Sequence, residues 1–144
     1  NVGMIVRSAV AAGIDGVLYP KRGIASMGPL VIKASAGNLF KAPIIRCDTV
    51  PDALTQLKSR GYRVAALEAN AEQSLFALDI VDSMICVLGG ETEGISPAVQ
   101  PFIETRLCIP MANGVESLNV AVTAALVAFQ LTKPSARCRE TRPQ

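Results

Sequence analysis

Short apolar runs of strand length alternate with helical stretches along this chain, and glycine or proline closes most of them. Residues Val2–Ala12 form a helical run of Val, Ile, Met and Ala, with Asn1 at the N-cap position and Gly13 as the stop. A strand over 16–19 follows, closed by Pro20, then a helical piece over 29–36 and a strand over 43–46. Pro51 opens a helix over 52–60 and Gly61 ends it. Apolar runs at 63–67, 85–88 and 105–109 have strand length. The longest helix is expected over 115–131 and is nearly apolar all round after its first turn, so it must be buried in the core or against another subunit. This order predicts an α/β domain, a mostly parallel sheet flanked by helices.

The composition narrows the chemistry. The 144 residues include no histidine and no tryptophan, so mechanisms built on an imidazole and His-ligated metal sites are excluded. No metal is expected, and an enzyme here must work with Arg, Lys, Glu, Asn, Ser and backbone groups. Cys47, Cys86, Cys108 and Cys138 form no C-x-x-C pair, and Cys86 and Cys108 sit in apolar runs where a thiol packs as a small hydrophobe. No apolar run reaches the length of a membrane span, and residues 1–13 lack a signal-peptide pattern, so a cytoplasmic protein is expected.

The formal charge of +2 conceals a segregation. Residues 1–63 carry nine Lys and Arg against three acids, whereas residues 64–131 carry one Arg against eight acids. The tail over 132–144 is basic, with two prolines, and reads as mobile. Segregated charge can give a nearly neutral protein a polyanion-facing surface, although sequence halves that interleave in space would cancel it.

Three places carry candidate chemistry. Gly89-Gly-Glu-Thr-Glu-Gly94 directly follows a strand, where α/β domains hold their ligand loops. It is neither a dinucleotide fingerprint, since Glu91 replaces the middle glycine, nor a P-loop, since Ile95 stands at the lysine position. By itself it reads as a Gly-rich turn. The second place, residues 109–119, joins a strand end through Asn113-Gly114 to polar groups at a helix start, Glu116, Ser117 and Asn119. Helix capping alone would account for those residues, but two such loops at neighbouring strand ends favour a binding site. The third is Arg7, whose helical neighbours Gly3, Val10 and Ala11 offer it no partner. It either extends into solvent or grips a phosphate.

These residues resemble a known family. Asn1-Val-Gly-Met-Ile-Val-Arg7-Ser-Ala9, Leu88-Gly-Gly-Glu-Thr-Glu-Gly-Ile-Ser96 and Ile109-Pro-Met111 with Glu116-Ser-Leu-Asn-Val120 look like the three motifs of the SpoU/TrmH ribose 2′-O-methyltransferases of the SPOUT superfamily. Ala34-Ser-Ala-Gly37 also matches a segment common in that family, and the resemblance covers about residues 1–130. It implies an α/β fold with a C-terminal trefoil knot, a rare exception to unknotted topology. It also implies S-adenosylmethionine as cofactor, RNA (ribosomal or transfer) as substrate, and a homodimer whose active site is completed across the interface. By motif alignment the cofactor meets Leu88, Gly89, Gly94, Ile109, Met111, Ser117 and Leu118, flanked by Leu67, Glu68 and Ala69. Asn1, Arg7, Glu91, Ser117 and Asn119 fall on the catalytic positions. Arg7 with Lys21, Arg22, Lys33 and Lys41 makes the expected RNA face. The methyltransferase domain spans 1–131 and the tail 132–144.

The family mechanism makes the motif-one arginine the base that takes the ribose 2′-OH proton with help from a substrate phosphate. A guanidinium, however, holds its proton in proteins, so the alternative is that Arg7 clamps the phosphate while the proton leaves to phosphate or water. The chain departs from the family in lacking a strand and an Asp-Pro pair before Asn1, which leaves an exposed sheet edge expected, and in having Ala121 where many members have Ser. Other readings are a paralogue conferring resistance through ribosomal RNA methylation, a catalytically silent RNA- or cofactor-binding module of the same fold, and a small-molecule α/β enzyme.

Overall fold

The computed structural model describes residues 1–21, 27–79, 83–90 and 93–133. Helix α1 (Val2–Ala12) buries Gly3, Val6, Ala9 and Ala12 along one stripe. Gly13, left-handed at φ 81, returns its N–H to Ala9 and Val10, and Ile14 N–H also reaches the Ala9 carbonyl. A residue with a side chain would be strained there. Strand β1 (Val17–Pro20) leads to α2 (Pro29–Ala34), a 3-10 turn (Asn38–Lys41), β2 (Ile44–Cys47) and α3 (Val50–Lys58). Thr49 caps α3 by accepting from Asp52 N–H at 3.2 Å. Then follow β3 (Arg63–Leu67), β4 (Gln73–Ser74), a 3-10 turn (Leu75–Ala77), β5 (Met84–Val87), a 3-10 turn (Gln100–Phe102), β6 (Thr105–Cys108) and α4 (Val120–Thr132).

All strand pairings among the described residues are parallel, but they form two sheets where one was expected. β1 pairs with β2, and the larger sheet has the order β4-β6-β3-β5. Side chains join what hydrogen bonds do not. Leu18 of β1 packs in one cluster with Ile85 and Val87 of β5, over Leu54 of α3, Val64 and Val99. The other face of the large sheet holds Ala65, Leu75, Leu78, Leu107 and Val127. β3 is thus covered on both faces, with Val64, Ala65 and Ala66 no more than 1% exposed, as a central parallel strand requires.

Helix α4 begins at Val120, five residues later than the apolar pattern predicts. The side chain of Asn119 accepts from Ala121 N–H at 2.9 Å and starts the helix there. Residues 111–119 all stay exposed, and Asn113 and Gly114 take positive φ values of 55° and 73°. The polar groups expected in a first helical turn therefore lie on an open loop. α4 packs one face on α1 and leaves Val122 and Phe129 about half exposed.

Gly3 marks the tightest crossing. A Cβ there would meet Ala34 Cβ and the Val31 carbonyl at 2.6 Å, so only glycine lets α1 cross α2 this closely. Beside it Ser35 is fully buried yet satisfied: its hydroxyl donates to the Ile32 carbonyl at 2.8 Å and accepts from Leu39 N–H at 3.2 Å. Ala36 and Gly37 follow with positive φ. Residues 34–37 are the corner that turns α2 into the 3-10 segment. At the far end of α3, Lys58 pairs with Glu104, and Arg63 Nε lies 3.7 Å from the same carboxylate. The Lys58 hydrogen bond holds the Glu104 carboxyl below its ordinary range, overcoming the opposing effect of burial. No helix among the described residues is long and apolar enough to cross a membrane.

Candidate functional site

Parallel strands release their chains at one end, so the loops after β3, β5 and β6 meet there. They enclose a cleft of about 970 Å³, a size that accommodates a nucleoside-sized ligand. A smaller cavity of about 310 Å³ lies at the opposite, N-terminal end of the same strands, lined by Arg63, Met84 and Thr105, where α/β sheets do not place their ligand loops.

Every residue assigned above to the cofactor lines the large cleft: Leu67, Glu68 and Ala69 after β3, Leu88, Gly89 and Gly94 after β5, and Ile109, Met111, Ser117 and Leu118 after β6. The β5 loop closes on itself. Gly90 and Gly94 exchange backbone hydrogen bonds at 2.9 and 3.1 Å. A Cβ on Gly89 would lie 2.7 Å from the Gly94 carbonyl carbon, which is why the run is glycine-rich. Met111 and Leu118 are 38% and 36% exposed, apolar side chains turned to solvent at the cleft. Such groups gain about 25 cal/mol per Å² when a ligand covers them.

The catalytic candidates divide. Ser117 lines the cleft. Asn119 donates from Nδ2 to Asn1 Oδ1 at 3.0 Å, so the structure brings these two together. Asn1 does occupy the N-cap of α1, and its carbonyl accepts from Ile5 N–H at 2.9 Å, but its side chain makes no capping bond. Arg7 is exposed on α1 and is not among the residues lining the cleft. Glu91 lies outside the described residues.

Of the basic candidates, Lys33 on α2 and Lys41 at the end of the following 3-10 turn are exposed, and both elements pack against α1, which carries Arg7. Lys21 is exposed too, but its Nζ is 2.5 Å from Asp48 Oδ1, so its charge is locally balanced. Arg22 lies outside the described residues.

The cleft also contains residues that sequence reasoning missed. Asn70 follows the β3 end and could have been found by its position. Cys108, half-buried at the end of β6, lines the cleft as well as being a small apolar group. Gln100 and Glu68 line it and share a partner outside it. Arg106 on β6 donates from Nη1 to Glu68 Oε1 and from Nη2 to Gln100 Oε1, the latter at 2.8 Å. No local sequence signal links positions 68, 100 and 106. By contrast, Cys86 packs against the Leu75–Leu107 cluster, and burial pushes its thiol up to about 12.

Comparison with known proteins agrees with this architecture. Residues 1–129 match the model of the SpoU rRNA Methylase family. A relative from Mycobacterium tuberculosis, called an uncharacterized tRNA/rRNA methyltransferase, is 37% identical over 144 residues, which are all of this chain and 45% of that protein. The crystal structure of an RNA 2′-O ribose methyltransferase superposes with a TM-score of 0.80 at 29% identity, over 92% of this chain and 50% of the other. The SpoU methyltransferase AviRb of Streptomyces viridochromogenes, solved in complex with the cofactor AdoMet, shares the fold at a TM-score of 0.82 and 24% identity, over 92% of this chain and 54% of its own. The chain thus spans about half the length of these proteins. With the family's model matched over residues 1–129 and the fold shared with its solved structures, the chain belongs to the SpoU rRNA methylase family.

Proposed function

We infer that this chain is the methyltransferase domain, over residues 1–131, of an enzyme that transfers a methyl group from S-adenosylmethionine to a ribose 2′-OH of ribosomal or transfer RNA. The observation that carries the reading is the cleft itself. Three segments remote in sequence, at 67–70, at 88–90 with 93–95, and at 108–120, converge at the carboxyl ends of β3, β5 and β6. The cleft is roomy and lined by backbone-rich glycine turns and exposed apolar side chains. That lining fits a nucleoside bearing a sulfonium side chain: Met111 and Leu118 can cover its base, and the backbone of 88–90 can meet its polar edges.

When bound, S-adenosylmethionine supplies an electrophilic methyl carbon on a sulfonium sulfur. The chain's own residues have the remaining tasks. The ribose oxygen must lose its proton as it gains the methyl group, so the negative charge growing on it needs a cation or a donor nearby. Arg7 supplies the cation: as a guanidinium that keeps its proton it clamps a backbone phosphate while the 2′-OH proton leaves to phosphate or water, whereas taking the proton itself would require it to be neutral beforehand. Asn119 and Ser117 orient the hydroxyl, and holding it in line with the methyl group accounts for much of the rate. Glu91 belongs to the same assignment.

Arg7 stands off the cleft of its own chain. This supports a homodimer in which the arginine of one protomer serves the cleft of its partner, and the half-exposed Val122 and Phe129 on α4 give a second copy an apolar face to cover. A lone protomer would then act as the silent cofactor-binding module. The reading extends to a trefoil-knotted path around the 109–119 loop, supported by the likeness to SpoU structures, and to a cytoplasmic location, supported by the RNA substrate. The test is incubation of total RNA with methyl-labelled S-adenosylmethionine, followed by mapping of the modified nucleotide. Label on a ribose 2′-oxygen is expected. Label on a base, or none from a dimeric sample that binds the cofactor, would overturn the reading.

A further inference from the structure

Glu68 is the first residue after β3, and its backbone is fixed on both sides. Its N–H donates to the Leu107 carbonyl at 2.9 Å, and its own carbonyl accepts from Ala71 N–H at 3.2 Å, closing a tight turn. The side chain is fixed as well. Arg106 engages Oε1, while its second terminal nitrogen reaches Gln100 Oε1 at 2.8 Å. Gln100 in turn directs Nε2 at the Ile95 carbonyl, 3.5 Å away. The chain of contacts therefore runs from the β3 loop through β6 to the β5 loop, behind the cleft wall that Glu68 and Gln100 line. Oε2 of Glu68 has no partner among the described residues, and the side chain remains 30% exposed. The result is a cleft-lining carboxylate with one oxygen anchored and the other without a partner among the described residues.

We propose that Glu68 is the acceptor for the ribose diol of the nucleoside bound in this cleft, and that Arg106 is a positioning residue that aims it. This rests on the reading of the cleft as a nucleoside cofactor site. A cis diol presents two O–H donors, and an ionised carboxylate is the side chain that can accept both. A carboxylate just beyond a parallel strand serves the same purpose in dinucleotide-binding folds, where it meets the ribose hydroxyls. The guanidinium matters because it removes the rotational freedom of a side chain that would otherwise turn into solvent. A fixed acceptor loses less entropy when the diol arrives. Lysine at 106 could pair with Glu68 but could not also hold Gln100 through a planar fork.

The experiment is calorimetric titration of the 144-residue chain with S-adenosylhomocysteine and with its 2′,3′-dideoxy analogue, neither of which requires turnover. Hydrogen bonds to a charged group set the expected size. Glu68→Gln, which keeps an oxygen for Arg106, should weaken S-adenosylhomocysteine binding roughly 10- to 100-fold. The same substitution should leave affinity for the dideoxy analogue unchanged, which also shows that the variant is folded. Arg106→Leu should reproduce the diol-specific loss, and the double variant should lose little more than either single one. An equal loss for both ligands, or no loss for either, would overturn the diol assignment while leaving the cofactor reading intact. Failure of the unaltered chain to bind S-adenosylhomocysteine at all would overturn that reading and this assignment together.

Discussion

Asn119 donates from Nδ2 to Asn1 Oδ1 at 3.0 Å, and with its own Oδ1 it accepts from Ala121 N–H at 2.9 Å. One amide thereby starts α4 and ties it to the start of α1, elements separated by more than a hundred residues. The two functions use opposite ends of the amide and can be separated. Asn119→Ala removes both and should cost about 1 kcal/mol of stability, the usual loss on deleting a cap. Asn119→Asp keeps the capping oxygen and lacks the donor. It should unfold within a few tenths of a kcal/mol of the unaltered protein yet lose most methyl transfer. Thermal unfolding beside a methylation assay checks this; an Asp variant with full activity would show the Asn1 contact to be dispensable.

Cys86 gives an alkaline prediction. Burial against the Leu75–Leu107 cluster holds its thiol neutral up to about 12, against 9.0 for a free cysteine. The native state therefore keeps a proton that the unfolded chain releases first, and linkage gives the sign. The stability from the neutral thiol is fully present below pH 9 and is lost as pH rises toward 12. Denaturant unfolding from pH 8 to 11 should show that decline, and Cys86→Ala should make it shallower. Cys86 should also resist maleimide at pH 7.5, whereas Cys108 in the cleft should react and be protected by S-adenosylhomocysteine.

The parts of this molecule legible in its sequence were those set by neighbours along the chain. The periodic apolar stripe of α1 and its Gly13 stop, and the run 63–67, all lie where the residues indicate. The cleft loops were legible because strand ends and glycine turns announce themselves locally. What failed depended on distant partners or on competition between local signals. At 115–119 the apolar period reads through as helix, but Asn119 caps two residues ahead and the chain stays open. The division into two sheets reflects which strands meet, and no spacing records that. The fork of Arg106 onto Glu68 and Gln100 depends on the same pairing of β6 with β3. Arg7 stands out in the sequence because its helical neighbours offer no partner, but only the fold shows that it is exposed and outside the residues lining the cleft.

Gly3→Ala opposes two effects of known size. Alanine gains at most about 1 kcal/mol over glycine, the value for a helix interior, and Gly3 sits in the first turn of α1. Here the new methyl group would lie 2.6 Å from both Ala34 Cβ and the Val31 carbonyl. Neither neighbour is the end of a flexible side chain, so α1 and α2 must separate, at a cost of roughly 1–3 kcal/mol. The clash should win. Urea unfolding is expected to show net destabilisation, and a gain in stability would mean that the crossing is looser than described.

RNA and cofactor should respond differently to salt. Lys33 and Lys41 are exposed and placed on elements that pack against α1, and each phosphate they neutralise releases a counterion. Affinity for RNA should fall steeply between 50 and 200 mM salt, with a slope of about −0.7 per phosphate contact on single strands. Lys33→Ala and Lys41→Ala should each flatten that slope by about one contact. Lys21→Ala should change it less, because Asp48 already balances that charge. Binding of S-adenosylhomocysteine should be nearly salt-independent, and equal slopes for both ligands would dissociate these lysines from RNA.

Arg7 allows the proposed sharing of a site between protomers to be tested directly. Arg7→Ala and Ser117→Ala should each abolish methyl transfer while Arg7→Ala still binds S-adenosylhomocysteine, since Arg7 lies off the cleft-lining set. In a two-fold dimer each surface is used twice, so a mixed dimer of the two variants has a simple outcome. If Arg7 of one protomer serves the partner's Ser117, one of the two sites in the mixed dimer is intact and the other doubly altered. Random reassortment of equal amounts should then restore about a quarter of wild-type activity. If both residues act within one chain, every site in the mixture carries one defect and nothing is restored. Because cofactor binding by the Arg7→Ala parent is measured separately, an inactive mixture of folded, cofactor-competent dimers would exclude the crossed site.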